Sequence, residues 1–140
     1  MQIADRATLL MLDWRGNNRM DSLRNILADG RVSLMFIVRG SNNVVRVNGT
    51  ADVTTAPDML ARFDDRGRHP RSVVVVHVAE VYSQCARALM RAGVWAGVDD
   101  AGNLPTIGEL LAEAEAEAEA GFDGESYDDA WAARAQKIMW

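Results

Sequence analysis

The stretch Trp14-Arg15-Gly16-Asn17-Asn18-Arg19-Met20-Asp21-Ser22-Leu23 joins two kinds of local pattern. Before it, Thr8 to Trp14 is a short apolar run of strand character. After it, Met20, Leu23 and Leu27 fall at helical spacing, with Gly30 suited to the position just past the helix end. The stretch therefore reads as a strand end, a Gly-Asn turn and a helix start. Asn18 suits the N-cap, with Asp21 near the positive end of the helix. Backbone N–H groups at such a place, with Arg15, Arg19 and the Ser22 hydroxyl nearby, suit a phosphate. Helix capping with solvated arginines explains the same residues more simply, and the residues alone leave both readings open.

Outward from this turn, the first two-thirds of the chain is rich in strand signals. Val32 to Val38 is a second apolar run, and Asn43 to Thr54 a third. In the third, Val45 and Val47 point one way while Val44, Arg46 and Asn48 point the other. Gly40-Ser41-Asn42 between them is hairpin chemistry. Ser72 to Ala79 is a valine run fit for a strand buried on both faces. These make four strands, with Val45, Val47, Val73 and Val75 expected in the core. A short helix is expected from Thr55, with Asp58 in its first turn. Another is expected from Val81, with Val81, Cys85, Ala88 and Leu89 on one side and Gln84, Arg87 and Arg91 on another.

Gly97 to Pro105 reads as a linker. Thr106-Ile107-Gly108-Glu109 is a capping-box signature, so a helix is expected to run through the Glu/Ala stretch to about Ala120. Ser126 with Asp129 is expected to cap a last helix carrying Tyr127, Trp131, Arg134, Ala135 and Ile138 near one stripe.

The 140 residues suit one domain with an appendage. The formal net charge of −5 divides unevenly. Residues 1–98 carry 13 Lys/Arg against 9 Asp/Glu, whereas residues 99–140 carry 2 against 11. A basic body with an acidic tail suits a small anionic ligand, and equally a solvated helical appendage. The overall acidity argues against wholesale nucleic-acid binding. No apolar run is long enough to cross a bilayer, and Asp5 and Arg6 interrupt any signal-like start. With a single cysteine, Cys85, the expected location is cytoplasmic. His69 and His77 lack matched carboxylates in sequence, so no metal site is expected, and Cys85 reads as a packed thiol.

Several blocks occur in an order that resembles one family. Arg15 to Leu27 followed by Arg31-Val32-Ser33-Leu34, then Val45-Arg46-Val47-Asn48-Gly49, then Pro70-Arg71-Ser72-Val73 and Cys85 to Arg91, resemble pyridoxamine 5′-phosphate oxidase-like flavoproteins. The similarity covers roughly residues 6–110 and weakens in the tail, although Ser126-Tyr127-Asp128 and Trp140 also fit.

The resemblance implies a mainly β fold with short α connections. That fold is an FMN-binding split β-barrel, incomplete at the N-terminus, with a C-terminal helical tail. Residues 1–98 would be the partial barrel and residues 99–140 the acidic helical extension. It implies a homodimer with FMN at the subunit interface and an FMN-dependent oxidoreductase of unnamed substrate. Carried onto this chain, Arg15, Asn17, Asn18, Arg19 and Ser22 would hold the FMN phosphate and ribityl chain. Arg46 and Asn48 would approach the flavin ring, and Arg87, Arg91 and Trp95 would reach it from the other subunit. Relatives begin with two further strands before the equivalent of Thr8, so a non-catalytic dimeric module without cofactor is the rival reading. Haem on the same barrel ranks last, because neither histidine is placed as an axial ligand.

Overall fold

The computed structural model describes residues 1–14, 16, 18–97, 99, 101–115 and 121–138. Two compact units are present, residues 1–96 and 97–140. The first unit is one antiparallel sheet of five strands: β1 (Gln2–Asp5), β2 (Thr8–Asp13), β3 (Arg31–Ile37), β4 (Val44–Thr54) and β5 (Ser72–Gln84). The spatial order is β1-β2-β5-β4-β3, so β1 and β3 are the edges of an open sheet. Two short helices join strands, α1 (Asp21–Ala28) between β2 and β3 and α2 (Pro57–Leu60) between β4 and β5, and a third, α3 (Arg87–Arg91), follows β5.

Two expectations about these elements are corrected. The sheet has five strands rather than four, because Gln2–Asp5 forms a hairpin with Thr8–Asp13. All four residues of β1 are exposed, which is why no amphipathic alternation marks it in sequence. The helix expected from Val81 is also displaced. Strand β5 continues to Gln84 because Val81, Tyr82, Ser83 and Gln84 pair with Val47, Arg46, Val45 and Val44. The helical spacing of Val81, Cys85 and Leu89 is thus outweighed by a ladder that satisfies backbone groups on β4. Cys85 is exposed, contrary to the packed thiol expected.

Alternation along the strands divides the sheet into two faces. On one face Leu9, Val47, Ala51, Val74 and Val76 are buried together, covered by Leu23 and Ile26 of α1. On the other, Leu10 and Val73 are buried with Phe63, beside Met59 and Leu60 of the α2 segment. Leu10, Val73 and Val76 are at most 1% exposed, so β2 and β5 are the parts of the sheet buried from both sides. Of the four expected core valines, Val47 and Val73 are buried and Val75 is half-buried. Val45 is 40% exposed in the single chain.

Helix α1 starts later than its sequence signals suggest. Met20 occupies the N-cap position, with no side-chain cap, and Asp21 opens the first turn. Asn18 lies before the helix in the left-handed region, at φ 62°. After α1, Asp29 folds back onto Arg31 at the start of β3, accepting from its backbone N–H at 3.2 Å and its Nε at 2.9 Å. That hydrogen bonding from Arg31 lowers the Asp29 carboxyl to about 2. Because the shift is downward, this contact supports the fold above the ordinary carboxylate range and is lost as pH falls through that value.

Between Asn48 and Gly49 the β4–β5 register shifts, with Ala79 the extra residue on β5. A Cβ on Gly49 would run into the carbonyl oxygen of His77. The glycine in Val47-Asn48-Gly49 is therefore demanded by how closely two strands approach, not by a turn.

The second unit contains a short 3-10 turn (Ala101–Asn103) and helices α4 (Ile107–Glu115), α5 (Gly124–Asp129) and α6 (Trp131–Ile138). The capping box read from sequence is formed. The Thr106 hydroxyl accepts from Glu109 N–H at 3.1 Å, and the Glu109 carboxylate accepts from Thr106 N–H at 2.7 Å. Residues 116–120, the expected end of this helix, lie outside the described residues. The last helix expected from Ser126 is two short helices, and the first of them is capped by Asp123, whose side chain accepts from Ser126 N–H and hydroxyl. Helices α4 and α5 meet at Gly108 and Gly124, where a Cβ on either would strike the other's backbone. The Asp128 carboxylate accepts from Gly108 N–H at 2.9 Å at this crossing.

Two outcomes test this description. Gly49→Ala should lower stability by about 1–3 kcal/mol, as steric insertion into a packed structure does. A urea midpoint equal to the parent's would contradict the close approach. The Asp29 carboxyl carbon, followed by NMR through acid titration, should have its midpoint near 2 in the folded protein. In Arg31→Ala that midpoint should move up toward the ordinary aspartate value.

Candidate functional site

Strand β2 ends at Asp13 beside the first residue of β5, Ser72. The chain then turns through Trp14 and Gly16 to Asn18 and Arg19 before entering α1. At this end of the sheet lies an open cleft of about 320 Å³, lined by Asp13, Trp14, Asn18, Arg19, Thr55 and Arg71 among others. Its apolar floor comes from Leu23 and Leu27 of α1 and from Val53 of β4. A second open cleft of about 490 Å³ runs between α1 and the sheet, with Asp13, Ser22, Asn25 and Ser33 as its polar lining and Met11, Ile26 and Leu34 among its apolar walls.

The polar groups around the first cleft are partly organised already. Arg71 donates backbone N–H to the carbonyl of Asp13 at 2.8 Å. Its guanidinium donates from Nη1 to Asn18 Oδ1 at 3.4 Å, linking positions 53 apart in sequence. The Asp13 carboxylate accepts from the Ser72 hydroxyl at 3.1 Å, and Ser72 is buried. Asp13 therefore has a neutral donor of its own, while Arg19 and Arg71 place two cations at the same opening. The donor set of arginines, an asparagine, a threonine and exposed backbone fits an anionic oxygen-rich group such as a phosphate.

Arg71 is the residue here that sequence reading did not assign. Its block, Pro70-Arg71-Ser72-Val73, contributed to the resemblance. Nothing in the local pattern says that the start of β5 returns to the turn before α1, however. Antiparallel pairing of β2 with β5 is the signal that brings it there.

The ten sequence-predicted residues do not form one site in a single chain. Arg15 and Asn17 lie outside the described residues. Asn18 and Arg19 line the first cleft and Ser22 the second, all near the start of α1. Arg46 and Asn48 sit toward the other end of β4, on the face opposite Val47 and Ala51. Thr54 lies eight positions beyond Arg46, roughly 27 Å along the strand. Here Arg46 Nε donates to Gln84 at 2.9 Å, and Asn48 Nδ2 to Glu80 at 2.8 Å. Arg87 and Arg91 are exposed on α3, which follows the same end of β5. Trp95 is 39% exposed, and its indole N–H donates to the Ser41 carbonyl in the β3–β4 connection at 2.9 Å.

Other titratable groups make no comparable site. His77 pairs with Asp52 at 2.9 Å on the exposed sheet face, and His69 Nδ1 lies 2.6 Å from the Phe63 carbonyl oxygen. Among the described residues, no group of three His, Cys, Asp or Glu could hold a metal ion. No described helix is long and apolar enough to cross a membrane.

A five-stranded antiparallel open sheet with short helices and a C-terminal helical unit defines a protein of split-barrel class. The same fold appears in the crystal structure of a tagged HupZ from Group A Streptococcus. That chain is 21% identical, with a TM-score of 0.50 over 59% of this chain and 67% of that one. A single-residue variant of HupZ is similar at 21% identity and TM-score 0.49, over 60% of this chain and 72% of that one. The family described as pyridoxamine 5′-phosphate oxidase matches residues 1–85, and the chain belongs to that family. No curated protein matches it.

The left-handed Asn18 gives this site a test of its own. Asn18→Ala should cost roughly 1 kcal/mol, since alanine has neither the tolerance for positive φ nor the carboxamide that Arg71 donates to. Asn18→Gly should cost less, because only the side-chain contact is lost. Equal thermal shifts in the two variants would show that the backbone conformation carries no cost.

Proposed function

We propose that this chain binds FMN and serves as an FMN-dependent oxidoreductase. The observation that carries the reading is the basic cleft of Asn18, Arg19 and Arg71 beside the start of α1, in a chain of the pyridoxamine 5′-phosphate oxidase family. Asn18, Arg19 and Arg71 would hold the FMN phosphate at this cleft, and the Ser22 hydroxyl would meet the ribityl chain. When bound, FMN supplies hydride or electron transfer. The residues of the chain hold its phosphate, orient its ring and exclude water.

The remaining expected contacts come from a second copy. Arg46, Asn48, Arg87, Arg91 and Trp95 lie toward the far end of the sheet from Asn18 and Arg19. A homodimer that sets the far end of one sheet against the cleft of its partner brings both groups to one flavin. Arg46, already steered by Gln84, then serves to stabilise negative charge on the reduced ring.

An absorbance titration with FMN, followed by light scattering for mass, tests this reading. A flavin band with micromolar or tighter affinity and the mass of a dimer is the expected result. A folded dimer that stays colourless with excess FMN would favour the non-catalytic module instead.

A further inference from the structure

Arg71 has chemistry that its known contacts leave unused. A guanidinium carries five N–H donors in a fixed fork. The structure shows one of them directed at Asn18, at a long 3.4 Å, and among the described residues no carboxylate pairs with Arg71. The residue is exposed and lines the cleft together with Arg19. Its backbone is fixed by the 2.8 Å bond to Asp13 and by the buried Ser72 that follows it. The stem is therefore anchored in the sheet while the charged head stands in the opening. Asp13 lines the same cleft and accepts from the Ser72 hydroxyl, and no ion pair between Asp13 and Arg71 is formed among the described residues.

Resting on the FMN reading, we propose that Arg71 is a specificity-determining ligand of the flavin phosphate. Its fork meets the phosphate from the β5 side, while Asn18 and Arg19 line the cleft from the α1 side. The two sides of the clamp are 52 positions apart in sequence and meet only because β2 pairs with β5. Contact with Asn18 sets the direction of the fork before ligand arrives, so less side-chain freedom is lost on binding. Arg71 should thus separate FMN from riboflavin, which has the same ring and ribityl chain but no phosphate.

The test compares FMN and riboflavin affinities, by flavin fluorescence, for the full chain and for Arg71→Gln and Arg71→Lys. Parent protein should bind FMN at least about tenfold tighter than riboflavin. Arg71→Gln should lose about 10- to 100-fold in FMN affinity with riboflavin little changed, as removal of a charge-assisted pair does. Arg71→Lys keeps the charge without the fork, and should fall between the two. It also serves as the reading if Arg71→Gln does not fold. An FMN-to-riboflavin ratio equal to the parent's in whichever variants fold overturns the role of Arg71 alone. Equal losses for both flavins would assign Arg71 to holding the turn and likewise overturn it. A parent protein that binds neither flavin overturns the FMN reading itself, and this inference with it.

Discussion

Strand β4 lies against strand β5 along its whole length, and nearly everything else in the first unit is placed by that pairing. It sets Val47 and Ala51 into one core and leaves Val73 to the other. It also gives β2 and β3 their flanking positions on either side. The pairing survives a change of register only because Gly49 lets the His77 carbonyl pass where a side chain would stand. Continuation of β5 beyond that point, to Gln84, carries the chain to the end where α3 begins. Without it Arg46 would lose Gln84, and Asn48 would lose Glu80.

Much of this was legible from residue types. The valine run of β5, the hairpin signal before β4 and the capping box at Thr106 each state their local structure through one strong physical preference. What was not legible depended on pairing between distant segments. Strand β1 is wholly exposed and has no pattern of its own, so only its ladder with β2 defines it. Val81, Cys85 and Leu89 have helical spacing, yet β4 offers hydrogen bonds that the extended chain accepts. Asn18 was read as a cap because asparagine favours that role. The same short side chain also tolerates a positive φ, and that property is the one used.

The candidate site shows the same division. Asn18, Arg19 and Ser22 were found together because they are neighbours in sequence, whereas Arg71 was not assigned because its proximity is made by the sheet. Arg46 and Asn48 share a strand face, as alternation requires, but alternation does not say which end of a ligand that face can meet. The geometry separates a phosphate-suited end from a polar end bearing Trp95.

The crossing of Gly108 and Gly124 gives the acidic second unit an uneven tolerance of change. Most of α4 presents alanine and glutamate, which exchange with other helix-forming residues at small cost. Where the two backbones touch, no side chain of any kind fits, and Asp128 is committed to the peptide N–H of the buried Gly108 at the crossing. A segment that looks compositionally simple thus hangs on three positions. Its glutamate pattern can change at small cost, whereas Gly108, Gly124 and Asp128 are fixed by the crossing itself.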